Sequence, residues 1–218
     1  MLEAHSLEAI RGERRLFSGL DFCARAGELL HITGPNGSGK TTLMRILCGL
    51  TLPTSGEVCW NHAPISRCRD EYHGSLLYIG HASGIKADLT AEENLRIACA
   101  LRSRDPGRDA VRDALGALGL SAQAELPARV LSQGQRRRVS LARLLLEKAC
   151  ALWILDEPFA ALDTGATETL RRLIESHQSA GGITMFTTHQ EIPLAPHALR
   201  TLDLSGNLPG DRPGTGAS

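Results

Sequence analysis

Aromatic residues make up only 4% of the 218 residues, and the six cysteines, at 23, 48, 59, 68, 99 and 150, include no C-x-x-C pair. That spacing fits neither a disulfide framework nor a zinc finger. Reduced, mostly buried thiols in a cytosolic protein are therefore expected. The eight histidines are scattered, without ligand spacing such as H-E-x-x-H, which argues against a metal site built from them. No long apolar run is present; the clearest, such as Ala149 to Leu155, is far too short to cross a bilayer. The N-terminal MLEAHSLEAIRGERR is too polar to read as a secretory signal. Neither charge is in excess, since 24 basic residues meet 24 acidic ones. Bulk composition thus asks for neither nucleic acid nor an anionic membrane surface as partner.

What is present is an ordered succession of elements. Glu28 to Thr33 is a short apolar run that predicts a strand, Gly34 to Gly39 is rich in glycine, and from Lys40 the spacing of Leu43, Ile46, Leu47 and Leu50 becomes helical. Strand, glycine loop and helix open an α/β nucleotide-binding core. Pro53 to Gly56 reads as a turn, with strands at Val58 to Trp60 and Leu76 to Ile79. Thr90-Ala-Glu-Glu93 predicts a capping box for a helix running toward Arg102, and Val111, Ala114, Leu115 and Leu118 share a face of a second. Sheet returns at Leu152 to Leu155 and Ile183 to Phe186, with a helix through Leu170, Leu173, Ile174 and His177 between them, stopped at Gly181-Gly182. The expectation is one domain over 1–204, a helical subdomain inserted at roughly 82–145, and a disordered Gly/Pro-rich tail over 205–218.

Gly34-Pro35-Asn36-Gly37-Ser38-Gly39-Lys40-Thr41 fits G-x-x-x-x-G-K-[ST], followed by Thr42. Glycines let successive backbone N–H groups turn toward a phosphate chain, and the helix that follows adds its positive end. Lys40 is placed for the β- and γ-phosphates and the Thr41 hydroxyl for Mg²⁺. Asp156 and Glu157 close an apolar strand; Asp156 suits the Mg²⁺ shell and Glu157 the polarisation of an attacking water. Leu131-Ser132-Gln133-Gly134-Gln135 contains a capping box, with Ser132 and Gln135 opening a helix through Val139, Ala142, Arg143 and Leu146. By itself that would be no more than a well-capped helix. The run Arg136-Arg137-Arg138 reads as a solvated face or interface rather than a nucleic-acid patch.

Together these segments resemble the ABC ATPases. Leu131 to Gln135 is similar to their L-S-G-G-Q signature, with Gln133 where glycine is commonest; Ala161-Leu162-Asp163 resembles the D-loop, and Thr188-His189 the switch histidine. The resemblance implies a P-loop NTPase of RecA-like core, with an antiparallel β-subdomain and an inserted helical one. It also implies hydrolysis of ATP with Mg²⁺, and a head-to-tail dimer in which each signature turn meets ATP held by the other copy. Two positions depart from that pattern. His81 stands where a glutamine usually begins the loop that meets the membrane partner, and Arg11 lies near the usual adenine-stacking aromatic. A guanidinium can also stack on a base. Tyr78-Ile79-Gly80-His81, Gly84-Ile85-Lys86, Glu93-Asn94-Leu95 and Leu152 to Pro158 resemble the ATP-binding subunits of cytochrome c maturation (haem exporter) systems. This implies integral membrane partner subunits, no nucleic acid, and a peripheral place on the cytoplasmic face of the bacterial inner membrane. The alternative is the ATPase subunit of an ABC transporter for another substrate.

Overall fold

A computed structural model describes residues 1–190 and 199–205. The predicted tail lies outside the described residues apart from Ser205. Strands β1 (Leu2–Arg11), β2 (Arg14–Ala24), β4 (Ser55–Trp60) and β5 (Ala63–Pro64) form an antiparallel sheet of order β2-β1-β4-β5. The first two strands are hard to see in the sequence. Leu2 and Ala4 are buried, then Leu7 and Ala9, and the alternation slips at a register shift around Ser6, whose φ is +48°. A bulge of this kind inserts a residue and breaks the period of two.

The second sheet is wholly parallel: β6 (Leu76–Ile79), β7 (Leu152–Leu155), β8 (Ile183–Phe186), β3 (Leu29–Thr33) and β9 (Leu199–Asp203), in that spatial order. Its strands β7 and β8 are buried at every position because both faces are covered. Leu77, Ile79, Trp153 and Leu155 point into one core with the helical insert, while Leu76, Leu152, Ile154 and Met185 point into another. That second core is completed by α1 (Lys40–Leu47) and the antiparallel sheet. Tyr72 of α2 (Arg69–Ser75) is also buried in it. Each such side chain contributes about 1.5–3 kcal/mol on burial.

The insert holds α3 (Ala91–Ala100), α4 (Arg108–Ala117), α5 (Gln133–Leu141) and α6 (Arg143–Leu146), and α7 (Thr164–Ser179) packs on the same face of the sheet through Leu170 and Ile174. Both predicted capping boxes form, Thr90 with Glu93 and Ser132 with Gln135. The helix expected to continue to Leu146 is interrupted at Ala142, whose N–H is shared between the carbonyls of Arg138 and Val139 at 3.0 and 3.2 Å. The turn tightens there. The insert is tied to the core by a buried cluster: Glu147, wholly buried, pairs with Arg102 and with Arg143 at 3.2 Å. Arg102 also donates to the carbonyl of His73 at 3.0 Å, at the end of α2. All six cysteines are free, four of them buried. None of the described helices is long and apolar enough to cross a membrane.

Candidate active site

Four parallel strands deliver their carboxyl ends to one edge of the sheet, where ligands bind in open α/β folds. From β3 the chain enters the glycine loop. Gly39 caps α1 with φ +100°, and a Cβ there would lie 3.0 Å from Leu16 Cβ and 3.1 Å from Phe17 Cδ1. Only glycine lets the antiparallel sheet seat against the loop so closely. No side chain caps α1 and no acidic residue sits in its first turn, so its positive end is left unneutralised. Lys40 Nζ donates to the carbonyls of Gly34 and Pro35 at 2.7 and 3.1 Å, which holds the ammonium over the loop. Ser38 is buried with its Oγ unpartnered.

From β7 comes Asp156, almost wholly buried, with both carboxylate oxygens engaged. Thr41 Oγ1 donates to Oδ2 at 3.0 Å and Thr187 Oγ1 to Oδ1 at 2.9 Å. Thr187 also accepts from the Glu157 N–H at 2.9 Å. Sequence reasoning passed over Thr187, although its place at the end of an apolar strand, just before Thr188-His189, was a visible signal. Glu157 itself has φ +51°, a conformation that non-glycine residues seldom adopt and that clusters at functional sites. Its Oε1 lies 3.5 Å from His189 Nε2. Behind His189, the half-buried His31 stacks on Phe186 and its Nε2 lies 3.4 Å from the Thr188 carbonyl. Burial, above all, holds the His31 pKa below the ordinary histidine value.

One open cleft gathers Asn36, Gly37, Gly39, Lys40, Thr41, Thr42, His81, Asp156, Glu157 and His189, together with Arg11 and Leu16 from the antiparallel sheet. Nine predicted site residues therefore meet in a single place with the exposed His81 at its edge. The signature turn does not line this cleft among the described residues. Ser132 and Gln133 are exposed, while a Cβ on Gly134 would lie 2.5 Å from the Ala161 carbonyl. Asp163 caps α7, accepting from Ala166 N–H at 2.8 Å, and its other oxygen lies 3.5 Å from Arg138 Nη1.

Of the arginine run, expected to form a solvated face or an interface, Arg137 is buried against the strand ends and Arg136 and Arg138 are half-buried. Arg137 is 5% exposed and reaches the carbonyls of Gly80, Asp156 and Glu157 at 2.7, 2.6 and 2.9 Å. Arg136 and Arg138 donate to the carbonyls of Leu131 and Leu118 at 3.0 and 3.2 Å. These side chains turn inward to carbonyls at strand and turn ends, of which those of Gly80 and Asp156 have no backbone partner among the described residues.

Thr41 and Asp156 offer hard oxygens at fixed positions. Two protein oxygens with room for phosphate and water fit Mg²⁺, which is seldom caged by protein alone.

Comparison with known proteins agrees with this geometry. Residues 17–160 match the family model described as ABC transporter. The cytochrome c biogenesis ATP-binding export protein CcmA of Nitrosomonas europaea is 52% identical over 94% of this chain and 96% of its own. The protein of the same name from Salmonella typhi is 48% identical over 96% of this chain and its whole length. Among solved structures, a dimeric ATP-binding cassette in a post-hydrolysis state bound to ADP and Pi aligns with a TM-score of 0.81, at 24% identity over 95% of each chain, which supports the fold. The chain belongs to the ABC transporter family of ATP-binding subunits, in the branch formed by the cytochrome c biogenesis ATP-binding export proteins.

Proposed function

We propose that this ABC-type ATPase drives a bacterial membrane complex for cytochrome c maturation, exporting haem or releasing a haem-loaded chaperone. The observation that carries the ATPase chemistry is the meeting of Lys40, Asp156, Glu157 and His189 in one cleft. The pathway rests on the export proteins that the chain resembles over nearly its whole length.

In this reading, loop N–H groups from Gly34 to Thr42 and the Lys40 ammonium bind the β- and γ-phosphates. Thr41 and Asp156 hold Mg²⁺, which would neutralise phosphate charge. Glu157 accepts the proton of the attacking water, and His189, 3.5 Å from it, donates to the γ-phosphate. Arg11 lies at the cleft, where its guanidinium can cover the base face. The Ser132-Gln133-Gly134 turn, exposed at Ser132 and Gln133, does not line its own cleft and suits the γ-phosphate held by a second copy. His81, at the mouth, and Asp163 complete the route to the membrane subunits and across the dimer. The complex then sits on the cytoplasmic face of the inner membrane, with this chain peripheral.

The test is copurification of the tagged chain from membranes, with Mg²⁺-ATPase assays of wild type, Lys40→Ala and Glu157→Gln. Recovery of cytochrome c maturation membrane subunits, with turnover lost in both variants and ATP still bound by Glu157→Gln, supports the reading. Recovery of an unrelated permease keeps the ATPase and discards the pathway. Unchanged turnover in Glu157→Gln discards the assignment of the base.

A further inference from the structure

A buried guanidinium without a carboxylate partner is costly, and its charge must be met by well-placed acceptors. Arg137 is such a group. It projects from α5, the helix that begins at the signature turn, and its three acceptors are all backbone carbonyls: Gly80 after β6, and Asp156 and Glu157 after β7. Sheet hydrogen bonding stops just short of them, at Asp156 N–H to Ile79 and Thr187 N–H to Leu155. Among the described residues the Gly80 and Asp156 carbonyls have no backbone partner.

We infer that Arg137 is a positioning residue for hydrolysis, keeping the backbone of Glu157 and the base of the His81 loop in register with the signature helix. Glu157 is the place where this matters. Its positive φ is held from both sides, its N–H by the Thr187 hydroxyl and its carbonyl by Arg137 at 2.9 Å together with the Ala160 N–H at 3.2 Å. A strained conformation persists only when its surroundings over-determine it. Without Arg137 the Glu157 carbonyl keeps only the longer bond from Ala160 N–H, and the residue can relax, carrying its carboxylate away from the point where water must be polarised. Gly80 directly precedes His81, so the same guanidinium couples the loop at the cleft mouth to the catalytic carboxylate. The hydrogen bonds of Arg137 go to Gly80, Asp156 and Glu157 and not to the phosphate-binding loop, which separates the effect on chemistry from any effect on nucleotide binding. The inference rests on the ATPase reading above.

The experiment compares kcat, KM, binding of a fluorescent ATP analogue and melting temperature for wild type, Arg137→Lys and Arg137→Gln. Lysine keeps the charge but cannot span three carbonyls as a planar fork does. Expected is a fall in kcat of about 10–100-fold, the scale of misplacing a catalytic group, with KM and analogue affinity unchanged within about twofold. Combined with Glu157→Gln, Arg137→Lys should add no further loss, because the group it positions is already gone. Unchanged kcat in either folded variant overturns the inference. So does a fall in kcat, affinity and melting temperature together, which marks a purely structural arginine. Wild-type turnover that does not depend on Lys40 would remove the ATPase reading itself, and the inference with it.

Discussion

The two helix N-termini to which the proposed chemistry assigns ATP are built in opposite ways. At α1 the N-cap is Gly39, no side chain satisfies the first N–H groups, and the loop before it is glycine-rich. At α5 the N-cap is Ser132, whose hydroxyl accepts from Gln135 N–H at 3.1 Å while the Gln135 side chain accepts from Ser132 N–H at 2.8 Å. The first terminus leaves its donors open for a phosphate chain. The second is closed on itself and offers a hydroxyl and little else. The donors of the first come from contiguous residues, seated against Leu16, Phe17 and Asp156, whereas the second is placed by contacts of its own helix to distant residues: Arg137 to the ends of β6 and β7, Arg138 to Asp163, and Gly134 against Ala161.

Breaking the open terminus should cost most. Lys40→Ala is expected to lower turnover by about 10²–10³-fold, the usual effect of deleting one fixed donor to a reacting oxyanion, together with ATP affinity measured by equilibrium binding. Gly134→Ala attacks the closed terminus: the new Cβ meets the Ala161 carbonyl at 2.5 Å. Thermal melts should show a loss of about 1–3 kcal/mol, typical of overpacking, and turnover should fall with it. Retained stability and turnover would mean that the loop after β7 yields freely.

A smaller effect separates a cap that only stabilises from one that also acts. Thr90→Ala and Ser132→Ala each remove an N-cap hydroxyl that accepts from the third residue of its helix. Each should cost about 1 kcal/mol in denaturant unfolding. Only Ser132→Ala should also reduce turnover; equal turnover in the two would reduce the signature turn to a cap.

The smallest effect concerns pH, and it lies in the last turn of α7. His177 is buried, stacked on Trp153 at 3.8 Å, its Nε2 donating to the Cys150 carbonyl at 2.9 Å and its Nδ1 accepting from the Thr184 hydroxyl at 3.1 Å. Burial holds its pKa, like that of His31, below the ordinary histidine value of 6.5. The unfolded chain therefore binds protons that the folded chain resists. Stability is whole above 6.5 and declines as pH falls through it. Melting temperatures read across that range should drop on the acid side, and less steeply in His177→Phe.

The phosphate loop, the carboxylates after β7 and the two capping boxes were legible because each depends on neighbours within a few residues, where φ preferences and helix-end chemistry act directly. The ABC resemblance supplied the expectation of an antiparallel subdomain, but β1 and β2 stayed hidden because the bulge at Ser6 breaks their alternation. β9 has only two of its five residues half-buried, so it carried no apolar signal. Motif spacing by itself determined that the chain is built around a phosphate loop, the order of the elements on either side of that loop, and which residues to look for in the cleft. Only the tertiary structure decided which way an arginine run turns, how Glu157 is clamped, and that the Thr187 hydroxyl joins the Asp156 carboxylate to the Glu157 N–H. Those choices depend on which unpaired carbonyls and hydroxyls the packed sheet brings within 3 Å of a side chain, and sequence spacing does not contain that distance.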